Sequence, residues 1–170
     1  TDQNHKRTVH RVLLALEKKG DIYKSSYKGW YCTPCESFWT DLQLKENKCP
    51  DCKRDVQALV EENYFFKLSK YQTWLVDYIQ NTEGFIQPEM RKNEILGFLK
   101  APLEDLSISR PRTRLQWGID YPNSNDDVVY VWFDALVNYI TAIGYGEDAA
   151  RFREWWPADA HLVGKDILRQ

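Results

Sequence analysis

An α/β fold built on a parallel sheet, carrying an inserted α+β subdomain, is what this sequence predicts, and three observations predict it. Strand-like and helix-like segments alternate after residue 101; an unbroken apolar run, Val128-Val129-Tyr130-Val131-Trp132-Phe133, is flanked by acids; and all four cysteines fall inside the window 32–52. Alternation of strand and helix marks an open α/β sheet, and a continuous apolar strand marks burial on both faces. The length of 170 residues, with 43% hydrophobic and 14% aromatic content, is enough for a core in one ordinary domain or two small ones. Lys and Arg number 23 against 25 Asp and Glu, so a net charge of −2 gives no bulk pull toward nucleic acid or anionic lipid. Any RNA contact must be local.

Element by element, Val9, Val12, Leu13 and Leu16 recur at three- and four-residue steps and Gly20 follows as a stop, which predicts an amphipathic helix over 5–19 that packs or connects. Aromatic residues around the first cysteine pair, and Glu62-Asn63-Tyr64-Phe65-Phe66 after the second, predict a β-rich metal knuckle over about 21–68. Ser69 is placed to cap a helix reaching Gln80, and a further helix over 89–100 should stop ahead of Pro102, since a residue before proline is driven out of the helical region. The alternation at 103–110 predicts a strand, 111–125 a loop, and 128–133 the buried strand. Asp134 should then cap a helix over 135–143, a third helix should begin near Glu147 and end at Pro157, and Ala160-His161-Leu162-Val163 should form a second strand leading into Gly164-Lys165-Asp166. Two strands are too few to close such a sheet, so these residues are expected to be part of a larger α/β domain.

The cysteines form two pairs, Cys32-Thr33-Pro34-Cys35 and Cys49-Pro50-Asp51-Cys52, separated by the 13 residues 36–48. Two residues between sulfurs let a tight turn aim both at one point, and four thiolates close a tetrahedral shell around zinc. Disulfides are the rival reading. They would need an oxidising compartment, whereas no signal peptide or apolar span is visible and a cytoplasmic location, with no membrane partner, is expected. A redox pair would not need a second pair to match it.

Ligands of open α/β sheets lie beyond the carboxyl ends of strands, which here means Trp132-Phe133-Asp134-Ala135 and Val163-Gly164-Lys165-Asp166. Gly164 permits close backbone approach and Asp166 can accept from a ribose hydroxyl, although a plain capped turn fits the same residues. No GxxxxGK[ST] run is present, so Lys165 does not belong to a phosphate loop of that kind. Trp132, Leu136 and Tyr139 could converge on a small aromatic cavity suited to a polarisable thioether, or could equally be core.

Tyr130-Val131-Trp132-Phe133-Asp134-Ala135-Leu136-Val137-Asn138-Tyr139 and His161-Leu162-Val163-Gly164-Lys165-Asp166-Ile167-Leu168 resemble two blocks of the bacterial methionyl-tRNA synthetases, which are class I aminoacyl-tRNA synthetases. Gly29-Trp30-Tyr31-Cys32, Asn63-Tyr64-Phe65-Phe66, Leu106-Ser107-Ile108-Ser109-Arg110 and Trp117-Gly118-Ile119 resemble the same family in the same order, so the likeness covers nearly the whole chain. The resemblance implies that residues 1–100 are a connective insertion and 101–170 the second half of a Rossmann-like catalytic domain, truncated. It implies that Trp132, Ala135, Leu136, Tyr139 and Ile167 line a methionine pocket, that Gly164 and Asp166 hold ATP, and that Arg110 lies near the active site. Lys165 could assist electrostatically. Implied partners are methionine, ATP with Mg²⁺, and tRNA(Met), while Cys32, Cys35, Cys49 and Cys52 hold structural Zn²⁺.

Neither the HIGH-type signature, nor the KMSKS loop, nor the anticodon-binding helical domain of that family occurs within these residues. Transition-state stabilisation needs donors from several loops at once, so the 170 residues alone are expected to be inactive. Two rivals stand beside this reading: a non-catalytic zinc-ribbon module that binds RNA or protein, and part of another class I synthetase, for isoleucine, valine or leucine. Nothing in the sequence bears on oligomeric state.

Overall fold

The computed structural model of the chain describes residues 2–35, 37–39, 44–165 and 167–169. Helix α1 spans Gln3–Lys18 and starts earlier than periodicity alone predicts because the Asp2 carboxylate caps it, accepting from the Asn4 amide at 2.7 Å. It ends in a Schellman closure: Gly20, at φ +75°, donates to the Glu17 carbonyl, and Asp21 donates to that of Leu16. That left-handed φ is what requires glycine here.

The metal knuckle hangs on a long antiparallel hairpin rather than on several short strands. Strand β1, Ile22–Cys32, pairs with β2, Ser37–Trp39, on one side and with β3, Gln57–Phe66, on the other, in register from Ile22 opposite Phe66 to Tyr31 opposite Gln57. A one-turn 3₁₀ helix, Leu68–Tyr71, precedes α2, Gln72–Asn81. Ser69 does not cap α2: its hydroxyl and amide instead donate to Asp105 at 2.6 and 3.1 Å. Helix α3 spans Glu89–Phe98 with Pro88 at its N-cap.

The strand expected at 103–110 is split. Its first half, β4 (Leu106–Ser107), adds to β3; Ile108 then crosses over, and β5 (Ser109–Pro111) pairs with β6 (Asp127–Val129) in a second small sheet. The apolar run after Asp127 also divides. Only its first two residues remain in β6; Tyr130 is an extended N-cap, and helix α4, Val131–Ala142, already contains Trp132, Phe133 and Asp134. A short apolar run does not by itself distinguish strand from buried helix. The helical spacing of Phe133, Val137 and Ile140, all in or against the core, decides it. Asp134 therefore lies in the first turn of α4 rather than capping it. Helix α5, Ala149–Trp155, is capped by the Asp148 carboxylate, and a short 3₁₀ turn occupies Ile167–Arg169.

Helices and sheets thus share the chain as the α/β class requires, yet every pairing among the described residues is antiparallel. Residues 160–163 find no ladder partner there and stay exposed, Leu162 at 92%, so the second expected strand is not formed. A lone strand has unsatisfied backbone groups and gains nothing over coil.

Two hydrophobic clusters hold these elements. In the first, Val9 and Leu13 of α1 meet Ile108, Ile119, Tyr121, Val129 and Val137, with Tyr64 stacked on Tyr121 at 3.8 Å between ring centroids. Each fully buried aliphatic side chain contributes about 1.5–3 kcal/mol. The second gathers Ile79 of α2, Ile86 of the turn that follows, Ile95 of α3 and its C-cap Leu99, and Leu168 packs against it from far along the chain. Asp21, 0% exposed, ties the start of β1 to the 3₁₀ turn, accepting from Lys70 at 2.6 Å and Tyr71 at 2.5 Å, with Lys19 at 3.2 Å. Among the described residues no helix is long and apolar enough to cross a membrane.

Candidate functional site

The hairpin carries the cysteines to one point. Cys32 ends β1, and Cys49 opens a turn in which Lys53 donates to the Cys49 carbonyl and Cys49 to that of Arg54, both at 2.9 Å, with Lys53 at φ +60°. The four sulfurs lie within 4.8 Å of one another; Cys32 and Cys52 are 3.4 Å apart, Cys35 and Cys49 3.9 Å. A tetrahedral zinc–thiolate shell with bonds of about 2.3 Å sets sulfurs about 3.8 Å apart, so the four fit such an ion, whereas a disulfide needs about 2.05 Å. Cys32 and Cys49 are buried, Cys35 and Cys52 partly so, and none is bonded to another. Crowding by Cys52 and then burial push the Cys35 thiol up to about 12. Burial also opposes ionisation of Cys49, but the Cys52 and Asp51 amides outweigh it and bring that thiol down to about 7. Four sulfurs held this close together present a ready-made set of ligands for one cation. The geometry is compatible with a zinc site, and a closed four-sulfur shell leaves no position open for substrate.

The remaining expected residues gather around α4, whose two faces have different tasks. Phe133, Val137 and Ile140 pack into the first core, and α1 fixes the helix from outside: His5 meets the Asp134 carboxylate at 2.5 Å through Nε2 and the Thr141 hydroxyl at 2.8 Å through Nδ1. The other face turns Leu136 and Tyr139 into an open cleft of about 570 Å³, completed by Leu75 and Ile79 of α2 and by Val163 and Ile167. Three expected pocket residues, Leu136, Tyr139 and Ile167, are therefore brought together across some thirty positions of sequence. Trp132 and Ala135 are on the first turn of the same helix but outside the cleft lining.

A second cleft of about 450 Å³ adjoins the first, and Gly164 and Lys165 line it with Gln87 and Arg91. Phe85, Ile86, His161, Val163 and Leu168 belong to both clefts and form their common wall. Asp166 lies outside the described residues. Arg110 lines neither cleft: its guanidinium lies 3.8 Å over the Tyr130 ring and donates to the Ser107 hydroxyl and Ser109 carbonyl. Burial draws its pKa below the usual arginine value, an effect that Tyr130 opposes. Nearby, Arg114 pairs with Glu61 at 2.5 Å above the Tyr31 ring.

Sequence reasoning passed over His161 and Trp156. The imidazole stands edge-on to Tyr139, at 5.1 Å, and to Trp156, at 5.8 Å, so the three rings frame one side of the larger cleft. His161 was visible as the residue three before Gly164; Phe85 and Ile86, from the turn between α2 and α3, carried no signal that would link them to residue 164.

Comparison with known proteins agrees with this architecture. The family described as tRNA synthetases class I (M) matches residues 1–61 and 56–170. Methionine–tRNA ligase of Caldanaerobacter subterraneus subsp. tengcongensis is 53% identical over 170 residues, 99% of this chain and 26% of its own length. That of Clostridium tetani is 56% identical over 171 residues, again with 99% of this chain and 26% of its own length. The crystal structure of Mycobacterium tuberculosis methionyl-tRNA synthetase bound by methionyl-adenylate superposes with a TM-score of 0.85 at 38% identity, covering 99% of this chain and 34% of that one. The chain spans about a quarter of the length of the curated relatives it matches. Fold and sequence agree over nearly all of these residues, and the chain belongs to the class I (M) tRNA synthetases, the methionyl-tRNA synthetase family.

Proposed function

We propose that these residues form part of a methionine–tRNA ligase, with the larger cleft taking the methionine side chain and the smaller one ATP. The observation that carries this reading is the meeting of Leu136, Tyr139 and Ile167 in one apolar cleft that shares a wall with Gly164. An unbranched thioether fits a cavity of leucine, isoleucine and aromatic edges, where sulfur gains about 0.3–1.5 kcal/mol per ring contact. Gly164 lets the nucleotide approach the backbone, and Asp166 would accept from its ribose. The family resemblance assigns Trp132 and Ala135, near the start of α4, and Arg110 of β5 to the same site, although none of the three lines the larger cleft.

With methionine in one cleft and ATP in the adjacent one, the methionine carboxylate would sit beside the α-phosphate, which is the proximity the first step requires. A carboxylate oxygen attacks the α-phosphorus, the bond to the β-phosphate bridging oxygen breaks, and pyrophosphate leaves with its electron pair. The ribose hydroxyl of tRNA(Met) then attacks the acyl carbon and displaces AMP. Mg²⁺ would neutralise phosphate charge, and Zn²⁺ on the four cysteines would be structural. We assign residues 1–100 to the connective insertion and 101–170 to the catalytic domain, in a cytoplasmic enzyme.

The test is methionine-dependent ATP–pyrophosphate exchange by the whole protein that carries these residues. Tyr139→Ala is expected to raise KM for methionine about tenfold or more, given the worth of a buried aromatic contact, with little change in KM for ATP. An unchanged methionine KM would remove the cleft from the reaction. Residues 1–170 alone, lacking the HIGH and KMSKS motifs, should show no exchange.

A further inference from the structure

The smaller cleft carries cationic side chains. Its lining includes Arg91 of α3 and Lys165, together with the Gln87 amide and His161. Arg91 gives one nitrogen, Nη1, to Glu94 at 2.6 Å, a pairing one helical turn away that steadies the guanidinium without using its whole donor fork. Lys165 makes no ion pair among the described residues. Gly164 lines the same cleft with these cations and with the apolar Phe85, Ile86 and Leu168, so the lining combines hydrophobic surface with positive charge. Anionic, hydrogen-bond-accepting oxygens on a planar apolar body match both, and a guanidinium fork suits phosphate better than any other side chain does.

We propose that Arg91 and Lys165 form a phosphate-binding wall of this cleft, so that helix α3, from the segment read as the insertion, supplies a ligand to the polyphosphate of the bound nucleotide. This rests on the nucleotide reading of the Gly164 cleft. It adds to that reading a residue 73 positions upstream of Gly164, on a different element, and couples the α2–α3 pair directly to substrate.

Calorimetric binding of ATP and of adenosine to the whole protein tests it, with wild type beside Arg91→Gln, Arg91→Lys and Lys165→Gln. Loss of one charge-assisted phosphate contact should weaken ATP about tenfold in Arg91→Gln and leave adenosine unchanged, with Arg91→Lys recovering part of the loss. The exposed Lys165→Gln, which leaves α3 intact, should weaken ATP in the same selective way. Equal weakening of ATP and adenosine, or no change in either, would overturn the phosphate wall. If wild type bound neither nucleotide, the nucleotide reading itself would fall, whatever the variants did.

Discussion

The cysteine knuckle and the double cleft are built in opposite ways. The knuckle draws its ligands from 21 consecutive residues, Cys32 to Cys52, on one hairpin, so local turns alone bring the sulfurs within 4.8 Å. The larger cleft draws on α2, α3, α4 and the 156–168 segment, and it exists only because two hydrophobic clusters hold those elements together. A metal ion would cross-link the first site, whereas packing alone holds the second. They should therefore fail under different insults.

Removing metal is expected to have the largest effect. Chelation, or Cys49→Ser, should abolish bound zinc and unravel the outer hairpin, because small metal knuckles draw most of their folding free energy from the ion, about 10–16 kcal/mol in isolated peptides. Hydrogen exchange should show amide protection lost from Gly29 to Cys32 and in Gln57–Val60 but retained around the Tyr64–Tyr121 stack. Protection lost equally in both places would show that the two regions are one cooperative unit.

Ile79→Ala attacks the other side of the comparison. Ile79 is 1% exposed and faces both the second cluster and the larger cleft, so truncation should cost about 2–5 kcal/mol, read as a lower denaturant midpoint. Zinc content should stay at one per chain. A loss of zinc would contradict the independence of the two sites.

The smallest expected effect lies at Asp21, where β1 joins the 3₁₀ turn before α2. Lys70 first, then Tyr71, with Lys19 adding to them against the cost of burial, hold its carboxyl well below the usual carboxylate range. A depressed folded-state pKa contributes stability that is complete above the unfolded value and lost as pH falls, so the loss should begin below about pH 4. Asp21→Asn should flatten that acid limb in urea titrations. An unchanged acid limb would place the pH dependence elsewhere.

Much of this was legible in the chain. Gly20 marks the end of α1, the CxxC pairs mark the knuckle, and of the five pocket residues that the family resemblance implies, Leu136, Tyr139 and Ile167 line one cleft. The errors cluster where a local pattern had two physical solutions. Tyr130 to Phe133 is apolar enough for a strand or a buried helix turn; packing of Phe133 against the first core selects the helix, and that rotation leaves Trp132 outside the cleft lining. The 103–110 alternation suited one strand, but Ile108, fully buried, forms a corner between two sheets.

Spacing along the sequence determined the four-sulfur site, the end of α1 at Gly20, and the family likeness of the blocks around Tyr139 and Gly164, because each depends on residues a few positions apart. Tertiary structure alone decided which face of α4 meets the cleft, that His161 and Trp156 frame it, and that Arg91 lines the same cleft as Gly164. Those relations join residues tens of positions apart, and only burial of the two apolar clusters fixes them.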